Sequence, residues 1–426
     1  MLGAASMLYY HLHLFIPNVL ELRASKGLGN GYAFGDDFYP VWLTARQWRL
    51  EHRGPYSPEM TREIQKGLFG RILDARNPND PPVDYRQFTY PAFTNFLLWP
   101  ATALDFPTLR VVLAIALPLL TAASLWLWMS AMRWRIHPLW FAVTVLLALC
   151  NYPVLEALFA EQPGLIIGFL LASAVLALRK NWLSLAGVLL SLTLIKPQMT
   201  LLAILFLLMW SLADRRRARF LTGFLATALF LTGASFWIWP QWICQWVRIL
   251  IGYHRYATPP LVTLLLGETL GRYIGPVLIV GLLAMAAVLA WRNRRASVDS
   301  ADLWLTLSLL LAITSVTLLP GQAVYDHVIL IPGIFLLARY RRELRDGGRV
   351  PCTLLIVGAV VLGWQWVAAP AVIVLHPVLT PAQFAPVLSL PIRTAASLPF
   401  AVLALLACAW RVNLMRITLI QNQEAS

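Results

Sequence analysis

The sequence predicts an all-α polytopic membrane protein, and three observations carry that prediction. Of its 426 residues 59% are apolar and only 13% charged, about half the quarter usual in a soluble domain. Mean hydropathy is +0.67. Several apolar runs approach or exceed the ~20 residues that cross a bilayer as a helix, and a chain in lipid must satisfy its backbone polar groups internally. A soluble globular enzyme, a disordered chain and a disulfide scaffold are all excluded.

The first apolar stretch, residues 1–21, reads as a weak transmembrane helix because it carries His11, His13 and Asn18. Residues 22–106 form one long polar loop with two amphipathic candidates, 38–51 and 58–76, and a turn-rich breaker from Arg76 to Pro82. Residues 92–104 are apolar but too short to span, which predicts an interfacial or re-entrant helix. Beyond them the spans are expected at 107–131, 137–152, 163–178, 182–195, 198–213, 219–239, 274–292, 302–320, 325–339, 351–372 and 394–412. With the first helix this makes about twelve, in a single integral membrane domain over 1–426, its helices concentrated in 107–412. The run 182–213 is too long for one span. Proline disfavours helix at the residue before it, so Lys196-Pro197 predicts two short helices meeting at Lys196.

The net charge of +14 comes from 34 basic and 20 acidic residues. In a soluble protein such an excess raises nucleic acid as a partner. Here Arg133 and Arg135, Arg179 and Lys180, Arg215 to Arg219, Arg292 to Arg295, and Arg339 to Arg349 occupy short loops that share one side when the spans alternate. The positive-inside rule makes that side cytoplasmic. No nucleic acid is expected, the bilayer is the partner, and both termini are expected in the cytoplasm. The long 22–106 loop, 153–162, the Lys196 turn, 240–273, 321–326 and 373–393 then face outward. The N-terminus lacks a basic n-region, so no cleaved signal peptide is expected. The four cysteines form no CxxC pair, and no metal cluster or structural disulfide is legible.

The outward side collects the unusual polar residues: Asp36 and Asp37, Glu156, Glu161 and Gln162, Lys196, His254 and Arg255, Asp326 and His327. Ionisable residues at the rim of a membrane bundle are functional candidates by default, since burying them is costly. Each has a plainer reading. One aspartate of the Asp36-Asp37 pair fits a helix N-cap, which leaves the other to act as a base. Lys196 fits a snorkelling side chain, Arg255 an anionic lipid contact, His254 and His327 interfacial histidines, and Glu156 and Glu161 loop solvation or capping. Together they point to a one-sided cleft with a carboxylate to deprotonate a hydroxyl and cations to hold a phosphate as it leaves. Paired aspartates also suit a divalent ion, but an oxygen-only site needs more ligands than two side chains, so metal dependence stays open.

Six motifs follow in order: Asp37-Phe38-Tyr39-Pro40-Val41-Trp42, Gly54-Pro55-Tyr56-Ser57-Pro58, Phe88-Thr89-Tyr90-Pro91, Glu161-Gln162, Ala186-Gly187 through Ile195-Lys196-Pro197, and Tyr325-Asp326-His327 before Leu330 and Pro332. Together they resemble the GT87 family of bacterial membrane glycosyltransferases. Ala92 stands where the family has a second proline and Glu161 where it has glycine, which weakens any role for Gln162. The resemblance implies a GT-C-like bundle with its active site on the extracytoplasmic face of the bacterial inner (plasma) membrane. It implies a polyprenyl-phosphate sugar donor, mannose most often, and an inverting single displacement onto a glycolipid or glycan acceptor. It places the catalytic aspartate at Asp37, with Asp36 the near alternative. On this reading Lys196, with Arg255, His327 or His254, holds the donor phosphate, and Tyr90, Gln162 and Asp326 line the pocket. The alternative from another class is a lipid or solute transporter or flippase, although the repeated halves and midplane polar sites of such proteins are not visible. A third is an assembly subunit without catalysis.

Overall fold

A computed structural model of the chain describes residues 2–28, 37–253 and 255–412. It is 77% helix, with no strand among the described residues, so the all-helical expectation holds.

The chain opens with a continuous helical stretch over 2–25, formed by α1 (Leu2–Tyr9), a π-helical turn (Tyr10–Phe15) and α2 (Ile16–Ser25). The expected polar loop is itself folded. It holds α3 (Tyr39–Glu51) and α4 (Pro58–Phe69), then the short α5 (Thr94–Leu97) and a 3-10 turn (Trp99–Ala103) in place of the interfacial helix. The Ser57 hydroxyl caps α4 by accepting from the Met60 N–H at 3.1 Å. The helix stops at Phe69, short of the expected 76, because Gly70 turns left-handed at φ 74°.

The apolar part begins with α6 (Phe106–Ala131), capped by Asp105, whose Oδ1 accepts from the Thr108 N–H at 2.9 Å. Next come α7 (Pro138–Leu149) and α8 (Tyr152–Phe159), which bend by 64° at Cys150-Asn151; α8 is a helix where the outward loop 153–162 was expected. Then follow α9 (Gly164–Arg179), α10 (Leu183–Leu192) and α11 (Leu201–Leu212). Two 3-10 turns flank Lys196 between α10 and α11, as Lys196-Pro197 predicts. After α12 (Ala218–Ile238), the expected outer loop carries α13 (Trp242–Tyr253) and α14 (Leu261–Leu265). The rest is α15 (Gly267–Asn293), α16 (Ala301–Thr317), a 3-10 turn (Val324–Leu330), α17 (Ile331–Arg339), α18 (Arg341–Asp346), α19 (Arg349–Leu375), α20 (Pro381–Leu388), α21 (Leu390–Ala395) and α22 (Leu398–Val412).

Five of these segments are long and apolar enough to cross a membrane, or six with the bent α7–α8 pair. They are 106–131, 215–238, 267–293, 349–375 and 381–410. At most 39% of the most apolar stretch of any one is buried inside the protein. Val111, Ile115, Leu229, Phe230, Val277 and Val280 are among the side chains left exposed. Apolar surface on that scale fits lipid contact rather than water. The expected dozen is not reached by length: α9, α10, α11 and α16 are apolar but shorter than a full span.

The short helices form the core. Every residue of α16 except Asp302 is buried, as suits a helix apolar on all sides. Some of its buried hydroxyls bond back into the helix, Thr314 to the Leu310 carbonyl at 2.8 Å and Thr317 to the Ile313 carbonyl at 2.7 Å. At one end the five basic clusters meet. Arg179 pairs with Asp299 at 2.7 Å, and Arg133 approaches the same carboxylate at 4.0 Å. Arg217 donates to the Arg294 and Ala296 carbonyls at 3.2 Å each, and Arg339 to the Met132 carbonyl. Helix α9 leads from this end to the other, a rise of about 24 Å for its 16 residues.

Candidate active site

At the far end of α9 the chain draws five polar side chains into a connected ring. Asp37 stands just before α3, whose first turn carries Pro40. Its Oδ1 accepts from Arg86 Nη1 at 2.5 Å, and its Oδ2 from Gln162 Nε2. Gln162 Oε1 accepts from Lys196 Nζ at 3.2 Å, and Lys196 donates on to Asp326 Oδ1 at 2.6 Å. Residues 34 to 130 positions apart in sequence thus form one path, Arg86–Asp37–Gln162–Lys196–Asp326.

The local structure explains how each member is aimed. Gln162 closes the turn that starts α9. Gly164 follows because a Cβ there would lie 2.6 Å from Asp326 Oδ1. Lys196 sits in an extended kink (φ −133°, ψ 70°) between two 3-10 turns, which frees it from either helix. Asp326 lies on the 3-10 turn that leads into α17. Tyr325 on the same turn places its ring 5.1 Å from Lys196 Nζ, a cation–π contact. Burial, with Asp37 and Asp326 nearby, raises the Tyr90 phenol well above its ordinary pKa. Burial raises Tyr253 as well, again with Asp37 acting on it. Both tyrosines therefore feel the ring's carboxylates.

The two ion pairs differ in access. The side chains of Arg86 and Asp37 are 20% and 19% exposed, those of Lys196 and Asp326 8% and 1%. Lys196 is thus no snorkelling residue, because its ammonium points inward to a carboxylate. His327 is buried beside Asp326, and its Nδ1 has no hydrogen-bond partner. Arg255 stands outside the ring: it is 74% exposed and pairs with Asp84 at 3.7 Å. Asp36 and His254 lie outside the described residues. Glu161 is neither solvated nor a cap; it is buried and binds Arg110 at 3.0 Å. Glu156 meets His11 at 3.7 Å and accepts from the Tyr152 hydroxyl at 3.4 Å.

Sequence reasoning missed Arg86. It falls in an irregular segment with no helical or strand period to mark it, and only its place two residues before the Phe88-Thr89-Tyr90-Pro91 motif hinted at it. Tyr325 was legible as part of a motif but not as a partner of Lys196. Among the described residues, no three His, Cys, Asp or Glu side chains stand together in a group able to hold a metal ion.

A helical bundle with lipid-exposed spans, and a ring of carboxylates and cations at the end away from its basic loops, defines a polytopic membrane protein with an internal polar site. Within that class the family model Glycosyltransferase family 87, GT87, matches residues 88–320, more than half of the 426-residue chain. The chain belongs to this family and is a membrane glycosyltransferase. The matched segment contains Tyr90, Gln162, Lys196 and Arg255, and ends before Asp326. Asp37 and Arg86 precede it. No curated protein and no solved structure matches the chain.

Proposed function

We propose that this glycosyltransferase moves a sugar, with mannose the expected one, from a polyprenyl-phosphate donor to a hydroxyl of a glycolipid or glycan acceptor, with inversion. The observation that carries the reading is the Asp37 carboxylate, partly accessible and held from both sides in a ring with two cations. Asp37 takes the acceptor's proton while the acceptor oxygen bonds to the anomeric carbon. The bond from that carbon to the phosphate oxygen breaks, its electron pair stays with oxygen, and polyprenyl phosphate leaves. One displacement inverts the anomeric centre. A carboxylate within hydrogen-bond reach of the attacking hydroxyl serves as general base, and cations beside the leaving phosphate stabilise its charge.

The bundle is read as GT-C-like, with the shorter helices α9, α10, α11 and α16 crossing inside the ring of long spans to approach twelve. The clustering of the five arginine-rich loops at the opposite end supports an active site on the extracytoplasmic face of a bacterial inner membrane, with both termini cytoplasmic. The α3 and α4 segment then lies over the outer interface, where a lipid donor enters sideways.

The test is transfer of radiolabelled mannose from synthetic polyprenyl-phosphate-mannose by the purified protein in lipid nanodiscs. Asp37→Asn is expected to abolish transfer and keep the wild-type elution profile and melting temperature. Full activity in both Asp37→Asn and Asp36→Asn removes the base assignment.

A further inference from the structure

The ring offers an incoming anion two cations, and the structure separates them. Lys196 is sealed, and Asp326 at 2.6 Å already balances its charge. A phosphate brought to it also meets the Asp326 carboxylate. Arg86 belongs to the more accessible pair, its side chain 20% exposed against 8% for Lys196. Planar, bidentate recognition of phosphate is what guanidinium does better than ammonium.

Arg86 is also held with care. Its backbone is left-handed at φ 69°, a conformation that is strained for an L-residue. Strain of that kind persists where surrounding structure over-determines it, and here it does. On one side of Arg86, the buried Gln65 of α4 donates to the Val83 carbonyl at 2.8 Å and the Tyr85 carbonyl at 3.1 Å. On the other side, Trp246 Nε1 of α13 donates to the Thr89 carbonyl at 2.8 Å, and the Tyr56 hydroxyl to the Tyr90 carbonyl at 2.9 Å. The Tyr85 ring lies 5.2 Å from the guanidinium carbon. Two helices and a turn thus fix the strand of chain that presents Arg86 to Asp37.

We propose that Arg86 is the phosphate-binding cation of this site and that it exchanges partners: it holds the Asp37 carboxylate in the unliganded protein and passes to the donor's phosphate when the donor binds. The inference rests on the polyprenyl-phosphate reading above and moves the phosphate grip from Lys196 to Arg86. Lys196 and Asp326 become the fixed wall that anchors Gln162, and Gln162 keeps Asp37 aimed after Arg86 departs. The exchange leaves Oδ1 of Asp37 to take the acceptor's proton. The breaking sugar–phosphate bond delivers its electron pair to the oxygen that Arg86 now faces. Donor binding and activation of the base become one event.

The experiment uses the full-length protein in nanodiscs, with polyprenyl phosphate without sugar as the binding probe and polyprenyl-phosphate-mannose as the transfer substrate. Arg86→Gln is expected to weaken binding of polyprenyl phosphate at least tenfold and to raise the donor KM by a similar factor. Arg86→Lys recovers part of that loss. Asp37→Asn removes the carboxylate that competes for Arg86, so it binds polyprenyl phosphate as tightly as wild type or more tightly, yet transfers nothing. If Arg86→Gln fails to fold, the Asp37→Asn binding measurement decides alone. Binding by Arg86→Gln within twofold of wild type overturns the inference, and so does Asp37→Asn binding weakened as far as Arg86→Gln. Either result beside normal wild-type transfer leaves the donor reading standing. A wild-type protein that neither binds the probe nor transfers from the donor overturns the donor reading, and the inference with it.

Discussion

Breaking the Lys196–Asp326 pair is the most direct test of how the ring is held together. The two charged atoms lie 2.6 Å apart, and both side chains are nearly sealed from solvent. At an effective dielectric near 20, their gross attraction is about 6 kcal/mol. Removing two ions from water costs several kcal/mol each, so the net worth of the intact pair is small. Removal of one partner strands the other, which is expected to cost about 3–5 kcal/mol. Asp326→Leu and Lys196→Met are each expected to fall in that range. The double variant is expected to return to within about 2 kcal/mol of wild type, the residue being Gln162 Oε1 left without its donor. Melting of the purified protein in detergent, followed by fluorescence of its 18 tryptophans, gives the four corners of a double-mutant cycle. Losses that simply add in the double variant would show that the two groups do not act as a buried pair, and the ring would lose its fixed wall.

Three further outcomes are expected. Gly187 of α10 packs on α12 so closely that a Cβ would lie 2.1 Å from the Phe220 carbonyl oxygen and 2.7 Å from the Phe224 nitrogen. Gly187→Ala is therefore expected to cost about 1–3 kcal/mol. It should also lower kcat about tenfold or more, because α10 leads to Lys196 and small misplacements are expensive in catalysis; unchanged melting and turnover would refute the close approach. Asp80 accepts two bonds from Arg71, at 2.5 and 2.7 Å, and these hold its pKa down to about 2 from the ordinary 3.8. A depressed carboxyl stabilises the folded loop above the ordinary value and loses that contribution as pH falls toward about 2. Protection factors over residues 71–80, corrected for intrinsic exchange at each pH, should accordingly fall on acidification in wild type and already be low at neutral pH in Asp80→Asn. At the other end of the bundle Asp299 joins Arg133 and Arg179. Asp299→Ala should lower stability by about 1–2 kcal/mol, the carboxylate being partly exposed, and leave transfer per folded molecule unchanged. A loss of turnover without unfolding would show that the two ends are coupled.

Particular residues show how far the sequence alone could be read. Lys196 was legible because a lone lysine before proline interrupts an apolar run, and local chain stiffness decides such a break. Asp37, Gln162 and Asp326 were legible as polar residues at the ends of apolar segments and as parts of ordered motifs. Their connection was not legible: Asp37 and Gln162 are 125 positions apart, and Lys196 and Asp326 130. Arg86 left no periodic trace, since what singles it out is a backbone dihedral fixed by side chains of α4 and α13. Arg255 read like a site residue by type and position, but folding turned it toward Asp84. The break at Asn151-Tyr152-Pro153 was legible as the end of a span, but the helix α8 beyond it was not, since a short segment between two breaks reads equally as a loop.

The sequence by itself determined that this chain lives among helices in lipid, because hydrophobic content, backbone satisfaction and the spacing of arginine clusters are local or additive properties. It also determined the break at Lys196-Pro197, since proline restricts the residue before it. Only the tertiary structure decided which charges meet, which cation is sealed and which remains open to a ligand. Those outcomes depend on distances between segments remote in sequence, and on burial that turns a weak attraction in water into a strong constraint inside the protein.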